Sequence, residues 1–175
     1  MNKKSIVIWA LDGLMVLLLA GCGDGGTGGA AAPSQQFSPA IVILKMVTQG
    51  TLPAETSLSG VSVTISLPAG VTPVMHSTGD VDSATVTVSG VAIPSNSLPP
   101  TYTPATGTAP ATLELVITNM AAEGFGVGEF VTVTCSVTPG SYPREEDFSV
   151  LNFSAITLTG EATTTVKPAF IAEIK

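Results

Sequence analysis

Two thiols, one imidazole and a few carboxylates are the groups in this chain that could do covalent or acid–base chemistry. Cys135 lies in Val131-Thr132-Val133-Thr134-Cys135-Ser136-Val137, in phase with three valines. A reactive thiolate needs an exposed, electropositive setting, and no basic residue is near it in sequence, so Cys135 reads as a buried thiol. His76 is the one histidine, in Val74-Met75-His76-Ser77. A single imidazole cannot build the usual zinc clusters, no serine sits in a G-x-S-x-G elbow, and no CxxCH run would attach a haem. The pattern does not point to an enzyme. Asp80 and Asp82, in Gly79-Asp80-Val81-Asp82-Ser83, and the run Glu145-Glu146-Asp147 could offer oxygens to Ca²⁺. Neither has EF-hand spacing, so turn and surface roles are the default, and a calcium site requires the two clusters to converge at one end of the fold. No other cofactor is expected. Tyr102, Phe130 and Tyr142 are the candidate ligand-face aromatics. Phe130 is out of phase with Val131 and is therefore placed on the solvent face. Sugar faces stack on planar rows of rings, and this set is thin. Protein docking by a hydroxyl-rich sheet face thus ranks above polysaccharide binding.

Cys22 stands apart, because its surroundings supply a chemistry of their own. The segment Leu14 to Cys22, LMVLLLAGC, follows Asn2-Lys3-Lys4 and ends in small residues. A short basic start, an apolar middle too short to span a bilayer comfortably and a small-residue cut site are the layout of a secretory signal over residues 1–21. Leu19-Ala20-Gly21-Cys22 also resembles the lipobox of bacterial lipoproteins. The resemblance implies a diacylglyceryl group on the Cys22 thiol, cleavage between Gly21 and Cys22, and acylation of the freed amine, so that palmitate would label the protein. Several acyl chains, each methylene contributing about 0.8 kcal/mol, make a stable anchor where one chain is marginal. Gly23 in place of an aspartate after the lipidated cysteine points, by the same resemblance, to the outer membrane, with the domain either periplasmic or at the cell surface.

Removing 21 of the 175 residues leaves 154, the usual size of one domain. Loss of Asp12, Lys3 and Lys4 turns 13 acidic and 6 basic residues into 12 and 4, a net charge of −8. That balance lacks a basic footprint for nucleic acid. Charged residues are 11% of the chain, against about 25% in average soluble proteins, so the expected surface is rich in Thr and Ser hydroxyls. If lipidation consumes Cys22, Cys135 has no disulfide partner. Residues 22–36, CGDGGTGGAAAPSQQ, carry too little apolar area to offset ordering entropy and read as a flexible tether. Its r.m.s. reach as a coil is on the order of 20 Å.

From Phe37 the pattern changes to period-two alternation in β-branched residues. Residues 61–67, 84–88, 112–118 and 131–137 each alternate aliphatic and hydroxyl side chains, as half-buried strands do. Residues 40–47, AIVILKMV, are apolar on both faces and predict a central strand, one covered by a loop, or a short helix. Further strands are predicted at 148–150, 153–158 and 166–174, where Pro168 calls for an edge or a bulge. Leu67-Pro68-Ala69-Gly70 and Thr138-Pro139-Gly140-Ser141 are turns, residues 94–110 with five prolines form a long loop, and 119–124 could make one helical turn. The expected fold is all-β: an antiparallel β-sandwich of 7–9 strands, jelly-roll or immunoglobulin-like, over 37–175.

Several of these segments resemble the cohesin-like domain. Leu67-Pro68-Ala69-Gly70-Val71 matches its strand-ending turn, Gly126-Val127-Gly128-Glu129-Phe130 its entry into a long apolar strand, and Phe153-Ser154 through Thr159-Gly160 its closing hairpin. The likeness covers most of 38–175 and rests on turn and core signatures. It implies a nine-stranded jelly roll related to carbohydrate-binding modules, acting as a docking module at cell surfaces. Two functions follow as expectations. One is a membrane-anchored, non-catalytic binding or scaffold module for a protein or a polysaccharide. The other is a structural envelope or matrix lipoprotein that self-associates through its strand edges.

Overall fold

A computed structural model describes residues 39–175; the expected signal segment 1–21, the tether 22–36 with Cys22, and residues 37 and 38 lie outside it. Ten strands follow in chain order: β1 (Ile41–Gly50), β2 (Leu58–Leu67), β3 (Val71–Pro73), β4 (Val86–Val88), β5 (Asn96–Ser97), β6 (Thr101–Thr103), β7 (Ala111–Thr118), β8 (Glu129–Val137), β9 (Ser149–Thr157) and β10 (Val166–Ile174). They form two antiparallel sheets. The first runs β10-β1-β8-β3, with β4 also on β8; the second runs β5-β7-β2-β9, with β6 also on β7. The protein is an all-β sandwich. From β8 onward each strand lies in the opposite sheet from the one before it, so the connections cross between layers.

The alternation seen in the sequence determines which side chains meet. Val42, Leu44 and Met46 of β1, Val61, Val63 and Ile65 of β2, Leu113, Leu115 and Ile117 of β7, and Val131, Val133 and Cys135 of β8 are all buried between the sheets. Each fully buried large aliphatic contributes about 1.5–3 kcal/mol relative to exposure. The residues between them on the same strands point the other way, leaving Ser62, Thr64, Thr132 and Thr134 part-exposed.

Pairing also assigns the ends. β1 exchanges two backbone hydrogen bonds between Ile41 and Lys175, and Val71 pairs with Val137. One end of the sandwich thus carries Ala40, Lys175, the β2–β3 turn and the β8–β9 connection. The other carries the β1–β2, β7–β8 and β9–β10 connections. Because Ile41 and Lys175 form a mutually bonded pair, the register puts Pro168, opposite Thr48, at a position whose N–H would face away from β1. Pro168 therefore costs the ladder nothing, as an edge strand requires.

Three expectations change and one open choice closes. The AIVILKMV stretch forms the central strand β1 (Ile41–Gly50), the first of its readings, and not a short helix. Residues 84–88 begin as a 3-10 turn, Ser83–Thr85, because Asp82 accepts a hydrogen bond from the Ala84 N–H, and only Val86–Val88 joins the sheet. The proline-rich stretch is not one long loop: β5 and β6 both pair with β7, and Pro99 and Pro100 fall in the break between them, where no ladder bond is lost. The two strands predicted within 148–158 are one, β9, in which Leu151 is an extra residue opposite β2, so the two pieces are joined by a bulge.

Candidate functional site

The outer faces of the two sheets differ in chemistry. On the second sheet, β2, β7 and β9 present Ser62, Thr64, Thr112, Glu114, Asn152 and Ser154, a mainly polar surface that also carries Val116 and Ile156, the latter 42% exposed. On the first sheet, β1 sits between β10 and β8 in the plane of the sheet. Its outward residues Ile41, Ile43, Lys45 and Val47 stay part-exposed, and Ile171 of β10, directly opposite Lys45, is half-exposed. This is why AIVILKMV is apolar on both faces: one face fills the core and the other makes an aliphatic strip at the surface.

Charges cross that strip in pairs. Lys45 donates to Glu173, and Lys175 Nζ lies 3.1 Å from the second Glu173 oxygen. Hydrogen bonds from Lys45 and Lys175 hold the Glu173 carboxyl below its ordinary value, and the same bond raises Lys45. Beside them Thr132 donates to Glu129 at 3.3 Å and lies 3.2 Å from the Ser89 hydroxyl. The face thus interleaves aliphatic side chains with a fixed charge network, and hydroxyls lie beside it.

The three candidate aromatics are not a row on one face. Tyr142 is 47% exposed, in the β8–β9 connection. Tyr102 stands opposite Leu113 on the inward side of β6, half-buried against the core, and burial raises its phenol pKa. Phe130 is fully buried, which corrects its placement on the solvent face. Met46 pairs with Val131 and Val47 with Glu129, so Phe130 is the extra residue of a bulge. The bulge shifts the phase, allowing Phe130 and Val131, neighbours in sequence, both to enter the core. Tyr102 and Tyr142 nonetheless share one end of the sandwich, on either side of the Pro68–Gly70 turn.

The acidic clusters are engaged in local structure. Asp82 caps the Ser83–Thr85 turn and lies 3.4 Å from His76 Nε2, and Asp80 accepts from Thr78 at 3.0 Å. Asp147 accepts from the Arg144 N–H at 2.8 Å. The Asp80–Asp82 loop leaves the edge of the first sheet between the segments that pair with Cys135 and Val133, while Glu145–Asp147 lies at the end near Val71. The convergence that a calcium site would require does not occur: among the described residues no three His, Cys, Asp or Glu side chains group to hold a metal. Cys135 is fully buried and unpaired, and burial pushes its thiol up to about 12. His76 is an exposed loop residue.

Among the described residues no helix is long and apolar enough to cross a membrane. No family model, curated protein or solved structure matches the chain.

Proposed function

We propose that this protein is a lipid-anchored, non-catalytic binding module of the cell envelope that docks a protein partner through the outer face of its first sheet. The lipobox resemblance at Leu19–Cys22 supports the anchor, and Gly23 supports the outer membrane as its location. The observation that carries the docking face is the strip Ile41, Ile43, Val47 and Ile171, crossed by the Lys45–Glu173–Lys175 network. It joins apolar area to fixed charges that can impose register on a partner.

The state of the strand edges favours a face over an edge. β3 and β4 are three residues long, β5 two and β6 three. β9 is bulged at Leu151, and β10 carries Pro168. Short, bulged and proline-bearing edges are poor templates for another strand, so the edge-to-edge reading is the weaker one. A pulldown from envelope extract with the full-length chain in detergent tests the proposal. A heterologous partner, lost with Ile171→Asp but kept with Val116→Asp, is the expected result; recovery of further copies of the chain alone would refute it.

A further inference from the structure

The end of the sandwich that carries Ala40 and Lys175 also holds a concave surface that the docking face does not use. The Pro68–Gly70 turn projects there and has a hollow on each side. One, of about 360 Å³, is lined by Tyr102, Thr72, Pro110 and Asp147; the other, of about 450 Å³, by Tyr142, Ser141, Pro143 and the same Asp147. Both volumes lie in the range of small-ligand sites. Pro68 and Ala69 line both, so the two hollows are adjoining halves of one cleft.

The polar groups in this cleft are hydroxyls and a carboxylate. Asp147 gives one oxygen to the Arg144 N–H and keeps the other free to accept. The Tyr102 hydroxyl has no partner among the described residues, and Ser66, Thr72 and Ser141 add three more hydroxyls to the lining. No Lys, Arg or His lines either half. With the chain's net charge of −7, that excludes a phosphate, sulfate or uronate ligand, whose charge would have no counterion. A proline-rich peptide would need N–H donors for its carbonyls, as aromatic grooves for such segments provide. Here every side-chain donor is a hydroxyl. A ligand that is rich in hydroxyl donors, uncharged, and apolar on its ring faces fits what remains.

We propose that this cleft binds a neutral polysaccharide, one sugar ring lying on the half-exposed Tyr142 and a neighbouring unit donating hydroxyls to Asp147 beside Tyr102. The site is separate from the sheet face, so each can fail alone. Affinity electrophoresis of the full-length protein in detergent, through gels containing soluble β-glucan, glucomannan, xylan, galactan or glycol chitin, tests it, with polygalacturonate as the anionic control and decaproline as a competitor. At least one neutral polymer should retard the protein and polygalacturonate should not. Tyr142→Ala should weaken retardation by about tenfold or more, the loss expected when a central aromatic anchor is truncated. Tyr102→Phe, which removes only a hydroxyl, should weaken it by a smaller factor. Circular dichroism of both variants checks that the sandwich is intact. Failure of every neutral polymer, retardation unchanged in Tyr142→Ala, or competition by decaproline would overturn the proposal.

Discussion

Replacing Phe130 by alanine separates the bulged strand from an unbulged one more sharply than any other single change. If β8 alternated without interruption, Phe130 would face water. Its truncation would then fall within about ±0.5 kcal/mol, as surface substitutions do. In the bulged arrangement the ring is fully buried. Its removal loses a transfer term of about 1.5–3 kcal/mol, and the cavity left behind raises the total to about 3–5 kcal/mol. For a domain of this size each kcal/mol moves the melting temperature by roughly 3–5 °C. Phe130→Ala should therefore melt about 9–25 °C below the wild type by circular dichroism. Tyr142→Ala, a half-exposed aromatic outside the core, is the matched control and should stay within about 2 °C. A Phe130→Ala melt as close to wild type as the control would refute the bulge and return Phe130 to the surface.

Other outcomes follow from the burial and charge already described. Cys135 should ignore Ellman's reagent at pH 8 in the native protein and react on unfolding in guanidinium; rapid native reaction would contradict its burial and its thiol near 12. Because that folded value is raised above the ordinary 9, the thiol favours folding below about pH 9, and this contribution fades as pH rises toward 12. Glu173 has the opposite sign. Its carboxyl is held below 4.5, so the Lys45–Glu173–Lys175 network persists above that pH and is lost as pH falls through the depressed value. A carboxyl NMR titration reading Glu173 at or above 4.5 would be inconsistent with the network. Palmitate should label the full-length chain and not a Cys22→Ser variant, which should leave the membrane fraction; a variant that stays there unlabelled would remove the lipid anchor.

Much of the fold was legible because β-branched residues alternate so regularly. β2, β7, β8 and β10 fall within a few residues of the segments their patterns mark, since burying one face of a sheet leaves no freedom of phase along an unbroken strand. Legibility failed where that phase breaks. Phe130 and Leu151 both sit at bulges, and a bulge is a property of two paired strands that one strand's sequence does not announce. β5 and β6 escaped notice because edge segments of two and three residues contain too few positions to show a period, and the prolines around them read as loop.

The candidate site was less legible for a different reason. A sequence shows that residues 40–47 are apolar on both faces without saying that β1 packs only one of them. Tyr102, Tyr142 and Asp147, separated by up to 45 positions, meet at one turn only because β7 and β8 return to the same end of the sandwich. Asp80 and Asp82 show the reverse: two carboxylates at ligand-like spacing serve a turn, with Asp82 capping it and Asp80 bound to Thr78. Spacing within one segment was visible in every case, and convergence between segments in none.

Site-specific photocrosslinking in the envelope tests the docking face most directly. A crosslinker replacing Ile171, on the outer face of the first sheet, should capture a discrete partner protein, while one replacing Val116, on the outer face of the second, should not. Capture from Val116 alone, or only of another copy of the chain from both positions, would contradict the account.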